Sequence, residues 1–177
     1  MSLSSCFSSS KNITWREETK LANGQMVIVE QSIDFRSAFN GAGTGWTAVD
    51  SRLKVVLPPK NQEVVWDGRL LAPIALDVAT NGDIYLVAIA EAEEDRQKYS
   101  LSRGLYHVAF KYKGNGEWTH IPLDAVPHEM QANLFTDPGG YFIGAKHSTE
   151  GVLDWAFKEQ DKNSLPAGNI AKGWRTK

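Results

Sequence analysis

The stretch Ile74-Ala75-Leu76-Asp77-Val78-Ala79-Thr80-Asn81-Gly82-Asp83-Ile84-Tyr85-Leu86-Val87-Ala88-Ile89-Ala90 decides the fold. Two apolar runs flank an Asn-Gly pair, and both residues of that pair tolerate the positive φ of a two-residue type I′ hairpin turn. Strand side chains alternate with period two, so Ile84, Leu86 and Ala88 share one face and Tyr85, Val87 and Ile89 the other. A strand that is apolar on both faces is a central strand, covered on both sides.

The same punctuation recurs at Asn23-Gly24, Asn40-Gly41 and Asn115-Gly116. A turn centred on Asn23-Gly24 pairs Ile13 to Leu21 with Gln25 to Ile33. It sets Leu21 opposite Met26 and Thr19 opposite Ile28, with Trp15 on the same face. A turn at Asn115-Gly116 joins Leu105 to Tyr112 with Glu117 to Leu123 and matches Val108, Phe110 and Tyr112 to Leu123, Ile121 and Thr119. Further strands are expected at Ser51 to Leu57, Glu63 to Trp66 and Tyr141 to Ala145. Pro58-Pro59 ends the first of these, because proline brings no donor to a ladder. Asp137-Pro138-Gly139-Gly140 reads as a turn, and the glycine-rich segment Phe35 to Thr47 as a mobile loop.

Helix is scarce. Glu91 to Leu101 and Pro127 to Phe135 each suit one short turn. The best candidate is Thr149 to Asp161, capped by Ser148, with Val152, Trp155 and Ala156 as its apolar stripe. About eight strands in antiparallel hairpins make the chain mainly β, a sandwich or a partly open barrel with one short C-terminal helix. The expected organisation is a flexible tether over 1–12, a single β-rich domain over 13–165 and a loose tail over 166–177.

The chain has 177 residues and a formal charge of −2. That length buries a core without staples. Acids and bases are interspersed, which leaves no electrostatic footprint for nucleic acid. One cysteine excludes an intrachain disulfide framework. No run approaches the roughly 18 apolar residues of a membrane span.

Constellations of chemistry are thin. In the third hairpin, His107 and His120 fall on facing strands, on the face opposite Phe110. His120 then faces Lys111, and at about 3.4 Å per residue the two histidines lie more than 10 Å apart, too far for one metal. A register two residues different would make them diagonal neighbours. Gly41-Ala42-Gly43-Thr44-Gly45 lacks the Walker lysine and the following helix of a phosphate loop. Glu91, Glu93, Glu94 and Asp95 sit beside Arg96, Gln97 and Lys98, as a solvated connection does. His147, Ser148 and Asp154 are a triad in name only. No cofactor or metal is implied. Trp46, in the glycine-rich segment, is with His107 and His120 the ligand-contact candidate; an aromatic lid folded over the core is the alternative for Trp46.

Leu3-Ser4-Ser5-Cys6 resembles the lipobox of bacterial lipoproteins: an aliphatic residue, two small residues, then cysteine. In that family the cysteine thiol receives a diacylglycerol, the preceding peptide is removed, and the new amino terminus is acylated. Two acyl chains anchor stably where one does so only marginally. A signal needs an apolar segment of about 7–15 residues, so Met1-Ser2-Leu3 is read as a leader in its place. Ile13-Thr14-Trp15-Arg16-Glu17-Glu18, Leu21-Ala22-Asn23-Gly24 and Val27-Ile28-Val29-Glu30 look like the opening of uncharacterised bacterial lipoproteins. Val64-Val65-Trp66-Asp67-Gly68 and Asn115-Gly116-Glu117-Trp118 fit the same impression. The resemblance implies membrane attachment through a lipid on Cys6 and carries no catalytic residue.

Three functions follow as expectations. The leading one is a noncatalytic, lipid-anchored cell-envelope domain facing the periplasm or exterior, with a protein or small ligand as partner. The second is an enzyme whose site lies between the 35–47 loop and the His107/His120 face. The third is a cytosolic protein-interaction module.

Overall fold

The computed structural model of the chain describes residues 9–39, 44–90, 92–102, 105–136 and 151–160. Alternation builds the first sheet. Along β1 (Ser10–Lys20), Ile13, Trp15, Glu17 and Thr19 are buried and the residues between them reach solvent. β2 (Met26–Phe39), β3 (Thr44–Leu57) and β4 (Gln62–Asp67) extend this sheet. Continuous apolar runs build the second, from β5 (Leu71–Val78), β6 (Ile84–Ala90), β7 (His107–Gly114) and β8 (Glu117–Ile121). α1 (Glu93–Lys98) joins β6 to β7, and near the C-terminus β9 (Val152–Leu153) precedes α2 (Trp155–Gln160).

The sheet orders are β4-β3-β2-β1-β9 and β5-β6-β7-β8. Both sheets are open, and among the described residues only the short β1–β9 pairing is parallel. The main core lies between them: Val29, Leu53, Val55, Val64 and Trp66 from the first meet Leu76, Leu86, Ala88, Val108 and Phe110 from the second. The chain is thus mainly β, a two-sheet sandwich. β6 is covered on both sides as its sequence requires. Ile84, Leu86 and Ala88 enter the main core, while Tyr85 and Val87 pack under Val126 and Met130 on the other face.

Polar side chains close the two seams of the sandwich. At one, the Trp118 indole N–H donates to the carbonyl of Val65 at 2.7 Å, tying β8 to β4. At the other, residues 133–135 bridge β1 and β5. The N–H groups of Asn133 and Leu134 donate to the carbonyl of Ile74 at 3.1 Å each. The Asn133 side chain accepts from the N–H of Leu76 at 3.0 Å and donates to the carbonyls of Leu76 and Lys20 at 2.8 and 2.9 Å. Beside it Lys158 of α2 meets Glu17 of β1 at 2.5 Å, both side chains 0% exposed. Glu17 also accepts from the N–H of Phe135 and the indole of Trp15 at 2.9 and 3.2 Å, and from Gln31. Lys158 donates as well to the carbonyl of Asn133 at 2.8 Å.

Several expectations are corrected. In the first hairpin the partners are Lys20 with Met26, Thr19 with Val27 and Glu18 with Ile28. Only Gly24 of the Asn-Gly pair has positive φ, at 85°. The loop is therefore the three residues Ala22 to Gly24, closed by the Leu21 N–H on the Gln25 carbonyl at 2.9 Å. That one-residue slip exchanges faces, so Val27 and Val29 are buried while Met26 and Ile28 are 46% and 38% exposed. The segment Phe35 to Thr47 is not a loop throughout, because β2 runs to Phe39 and β3 starts at Thr44. Ser10 to Asn12, assigned to the tether, belong to β1. Pro127 to Phe135 forms no helix; its backbone N–H groups serve Pro127 and the β5 edge instead.

The C-terminal helix starts later than expected. Val152 and Leu153 pair with Arg16 and Glu17, because the open edge of β1 offers them a ladder. Asp154 then accepts from the Ala156 N–H at 2.6 Å and Glu18 from the Trp155 N–H at 3.0 Å. Lys158 of α2 is buried, whereas Val152 and Ala156, expected in the apolar stripe, are exposed. Ser148, the expected cap, and the Tyr141 to Ala145 strand lie outside the described residues, as does the Asp137 to Gly140 turn.

Gly68, at the crossing from the first sheet to the second, has no room for a side chain. A Cβ there would sit 2.1 Å from the Trp66 ring and 2.7 Å from Ser51 Oγ. The Ser51 hydroxyl is itself held by the carbonyl of Leu71 at 2.6 Å. Gly68→Ala should therefore destabilise the domain by about 1–3 kcal/mol, the range for overpacking. Urea unfolding followed by tryptophan fluorescence measures this, and an unchanged midpoint would contradict it.

Candidate functional site

A concavity of about 750 Å³ opens where β1 begins. Ser10, Lys11 and Asn12 of β1 form one wall with Asp34, Phe35 and Arg36 of β2. The hairpin register makes this local, since Ser10 pairs with Arg36 and Lys11 with Phe35. Opposite them, Asp34 pairs with Asp50 but Phe35 with Ala48, so Val49 is an extra residue in β3. Such bulges bend a strand and re-aim its side chains, and Val49 and Asp50 both line the cleft. Arg69 and Leu70 come from the crossing between sheets, and Glu94, Asp95 and Lys98 from α1.

Four bases and four acids line this cleft: Lys11, Arg36, Arg69 and Lys98 with Asp34, Asp50, Glu94 and Asp95. Among the described residues none of the four bases makes an ion pair. Asp34 accepts from the Asn12 amide at 2.7 Å, Asp50 from the N–H of Ser51 at 3.0 Å, and Lys98 lies 4.9 Å from the centre of the Tyr99 ring. Asp95 Oδ2 is buried and accepts no hydrogen bond from the described residues. Among the described residues no His, Cys or Tyr lines the cleft, and Ser10 is the one hydroxyl. This lining supplies charge and hydrogen bonds of both signs.

The sequence-derived candidates lie elsewhere. Trp46 pairs with Ser37 on the β2–β3 hairpin and is 39% exposed. His107 is buried at the start of β7 and pairs with Ile89. His120 faces Phe110, not Lys111, with its ring 5.1 Å from Tyr99 and 6.1 Å from Phe110. The expectation that His107 and His120 share a face is therefore wrong: they sit on opposite faces of the second sheet. The cause is a bulge between Tyr112 and Gly114, with Gly114 at φ 96°, which slips the register by one residue. None of the three lines the cleft. Cys6, His147, Ser148, Trp174 and Gly41 to Gly43 lie outside the described residues.

Burial pushes the His107 imidazole below its ordinary value of 6.5. The unfolded chain therefore binds this proton more readily than the folded one. Its contribution to stability is complete above pH 6.5 and is lost as the pH falls from there through the folded value. The melting temperature should fall more between neutrality and about pH 5 for the unaltered protein than for His107→Gln. Parallel melting curves across that range would refute this.

No protein-family model matches the chain, and no curated protein or solved structure matches it either.

Proposed function

We propose that the chain is a noncatalytic, lipid-anchored domain of the cell envelope, facing the periplasm or exterior, that binds a polar ligand or surface at the cleft beside its anchor. One observation carries this reading. The sheet takes up the chain as early as Ser9 and Ser10, where the N–H of Ser37 donates to the Ser9 carbonyl at 2.8 Å. Cys6 is only four residues before Ser10. A chain spans at most about 3.3–3.6 Å per residue, so a lipid on Cys6 would hold this corner within about 14 Å of its attachment point. The charged cleft is built on that same corner. Interspersed bases and acids suit a target that carries both signs of charge.

The test is expression in a bacterium with the native upstream coding sequence, a fatty-acid label and membrane fractionation. Labelled protein in the membrane fraction, and loss of both label and membrane association in Cys6→Ser, is the expected result. Unlabelled protein in the soluble fraction with a free Cys6 thiol would overturn the reading. A second reading, a protein-interaction module, draws on the exposed Met26, Ile28 and Val56, of which the last two adjoin on the outer face of the first sheet.

A further inference from the structure

The seam between β1 and β5 holds a second cleft, of about 400 Å³, whose lining includes Asp77, Glu129, Asn133 and Trp155. That volume falls within the range of small-ligand sites. The Asn133 side chain is fully engaged by the backbone of Leu76 and Lys20, so it has little left for a ligand. Asp77 is different. It is 3% exposed, and its Oδ1 alone takes both of its hydrogen bonds, from the N–H groups of Val78 and Ala22 at 2.8 and 3.1 Å. Its Oδ2 accepts nothing from the described residues. Asp77 is part of the lining of the cleft.

Among the described residues no base forms an ion pair with Asp77. Burial raises the Asp77 pKa from 3.8, its two backbone hydrogen bonds oppose that rise, and the Glu129 carboxylate adds to it. Lys20 borders the cleft and, among the described residues, makes no ion pair. Two carboxylates that repel each other, one buried with an oxygen that accepts nothing from the described residues, favour a cation that donates hydrogen bonds. Trp155 adds an apolar wall. A calcium ion takes six to eight oxygens, and no group of three acidic, histidine or cysteine side chains gathers among the described residues.

We propose that this cleft binds the primary ammonium of a small organic amine, with its N–H groups on Asp77 Oδ2 and Glu129 and its carbon chain against Trp155. The site is independent of any lipid on Cys6. The experiment is a titration of the isotope-labelled chain with butylamine, butanol, tetramethylammonium and calcium, read at the backbone amides of Ala22 and Val78, which both donate to Asp77. Butylamine should shift both amides saturably, with a dissociation constant on the order of millimolar for so small a ligand. Tetramethylammonium, which has no N–H, should bind more weakly, and butanol not at all. Glu129→Gln removes one exposed charge and should weaken butylamine about tenfold. Asp77→Asn keeps an Oδ1 acceptor and should abolish binding. Equal shifts with butanol, shifts with calcium but not butylamine, or undiminished binding in Glu129→Gln would each overturn the proposal.

Discussion

Lys158→Met should lower the unfolding free energy by about 3–5 kcal/mol, the cost of leaving one member of a buried ion pair without its partner. Glu17 would keep its bonds from Phe135, Trp15 and Gln31. It would lose the only positive charge that the described residues place within ion-pair reach, at a position with no exposure. Burial itself pushes the Lys158 pKa down, and the Glu17 carboxylate works against that push. In urea, with a slope of about 2 kcal/mol/M, the loss is a midpoint shift of roughly 1.5–2.5 M. The double variant Glu17→Gln/Lys158→Met removes both charges while keeping an acceptor oxygen, and should recover most of the loss. The pair is shielded from salt, so the effect should persist at high ionic strength. The exposed pairs Lys54–Glu63 and Arg52–Asp67 should contribute at most about 1 kcal/mol each. A Lys158→Met shift as small as that would mean the ion pair does not hold α2 to the sheet.

Asn133→Ala should cost about 3 kcal/mol. It strands the N–H of Leu76 and the carbonyls of Leu76 and Lys20 inside the β1–β5 seam. An unsatisfied buried group costs about 1–3 kcal/mol, and N–H groups are the least tolerated. Hydrogen exchange locates the effect, since the Leu76 amide should lose protection before the amides of β6 and β7. Asn133→Asp is the sharper variant. Its second oxygen would face two carbonyls and repel them while ionised, but could donate to one when protonated. Its deficit should therefore shrink as the pH falls through the carboxylate range. A deficit independent of pH would show that the side chain does not bridge the seam as described.

The hairpins were legible because their pattern and punctuation agree. The run Ile84 to Ala90 permits only a strand with two covered faces, and the Asn-Gly pairs mark where the chain reverses. Register was less legible, for a physical reason. Met26-Val27-Ile28-Val29 is apolar at every position, so either face could be buried and alternation cannot choose between them. The turn chooses. Asn23 Oδ1 accepts from the N–H of Gln25 at 2.9 Å, which supports a three-residue loop with only Gly24 at positive φ. Asn81 does the same for the N–H of Asp83 at 3.0 Å. In the third hairpin Asn115 and Gly116 both take positive φ, but the bulge before Gly114 slips the register and parts the two histidines.

The charged clefts were illegible for a different reason. Lys11 and Arg36 could have been placed together from the hairpin register, once it was known. Arg69 and Lys98 reach the same cleft only because the chain crosses between sheets and α1 folds back. Trp155 and Asp77 meet at the second cleft from distant parts of the chain. A lysine or an acid in sequence carries no mark of whether it will face water.

What the sequence determined by itself was local: strands where apolar residues alternate or run together, reversals at the Asn-Gly pairs, and an end to β3 at Pro58. These depend on backbone preferences and on the period of a strand, which a few neighbouring residues settle. The tertiary structure alone decided which charges are buried. Glu17 lies on a strand whose other buried residues mark its inner face, and Lys158 on a helix 141 residues away. Desolvation forbids either from being there alone, so only the packing of β1 against α2 and residues 133–135 makes both tolerable.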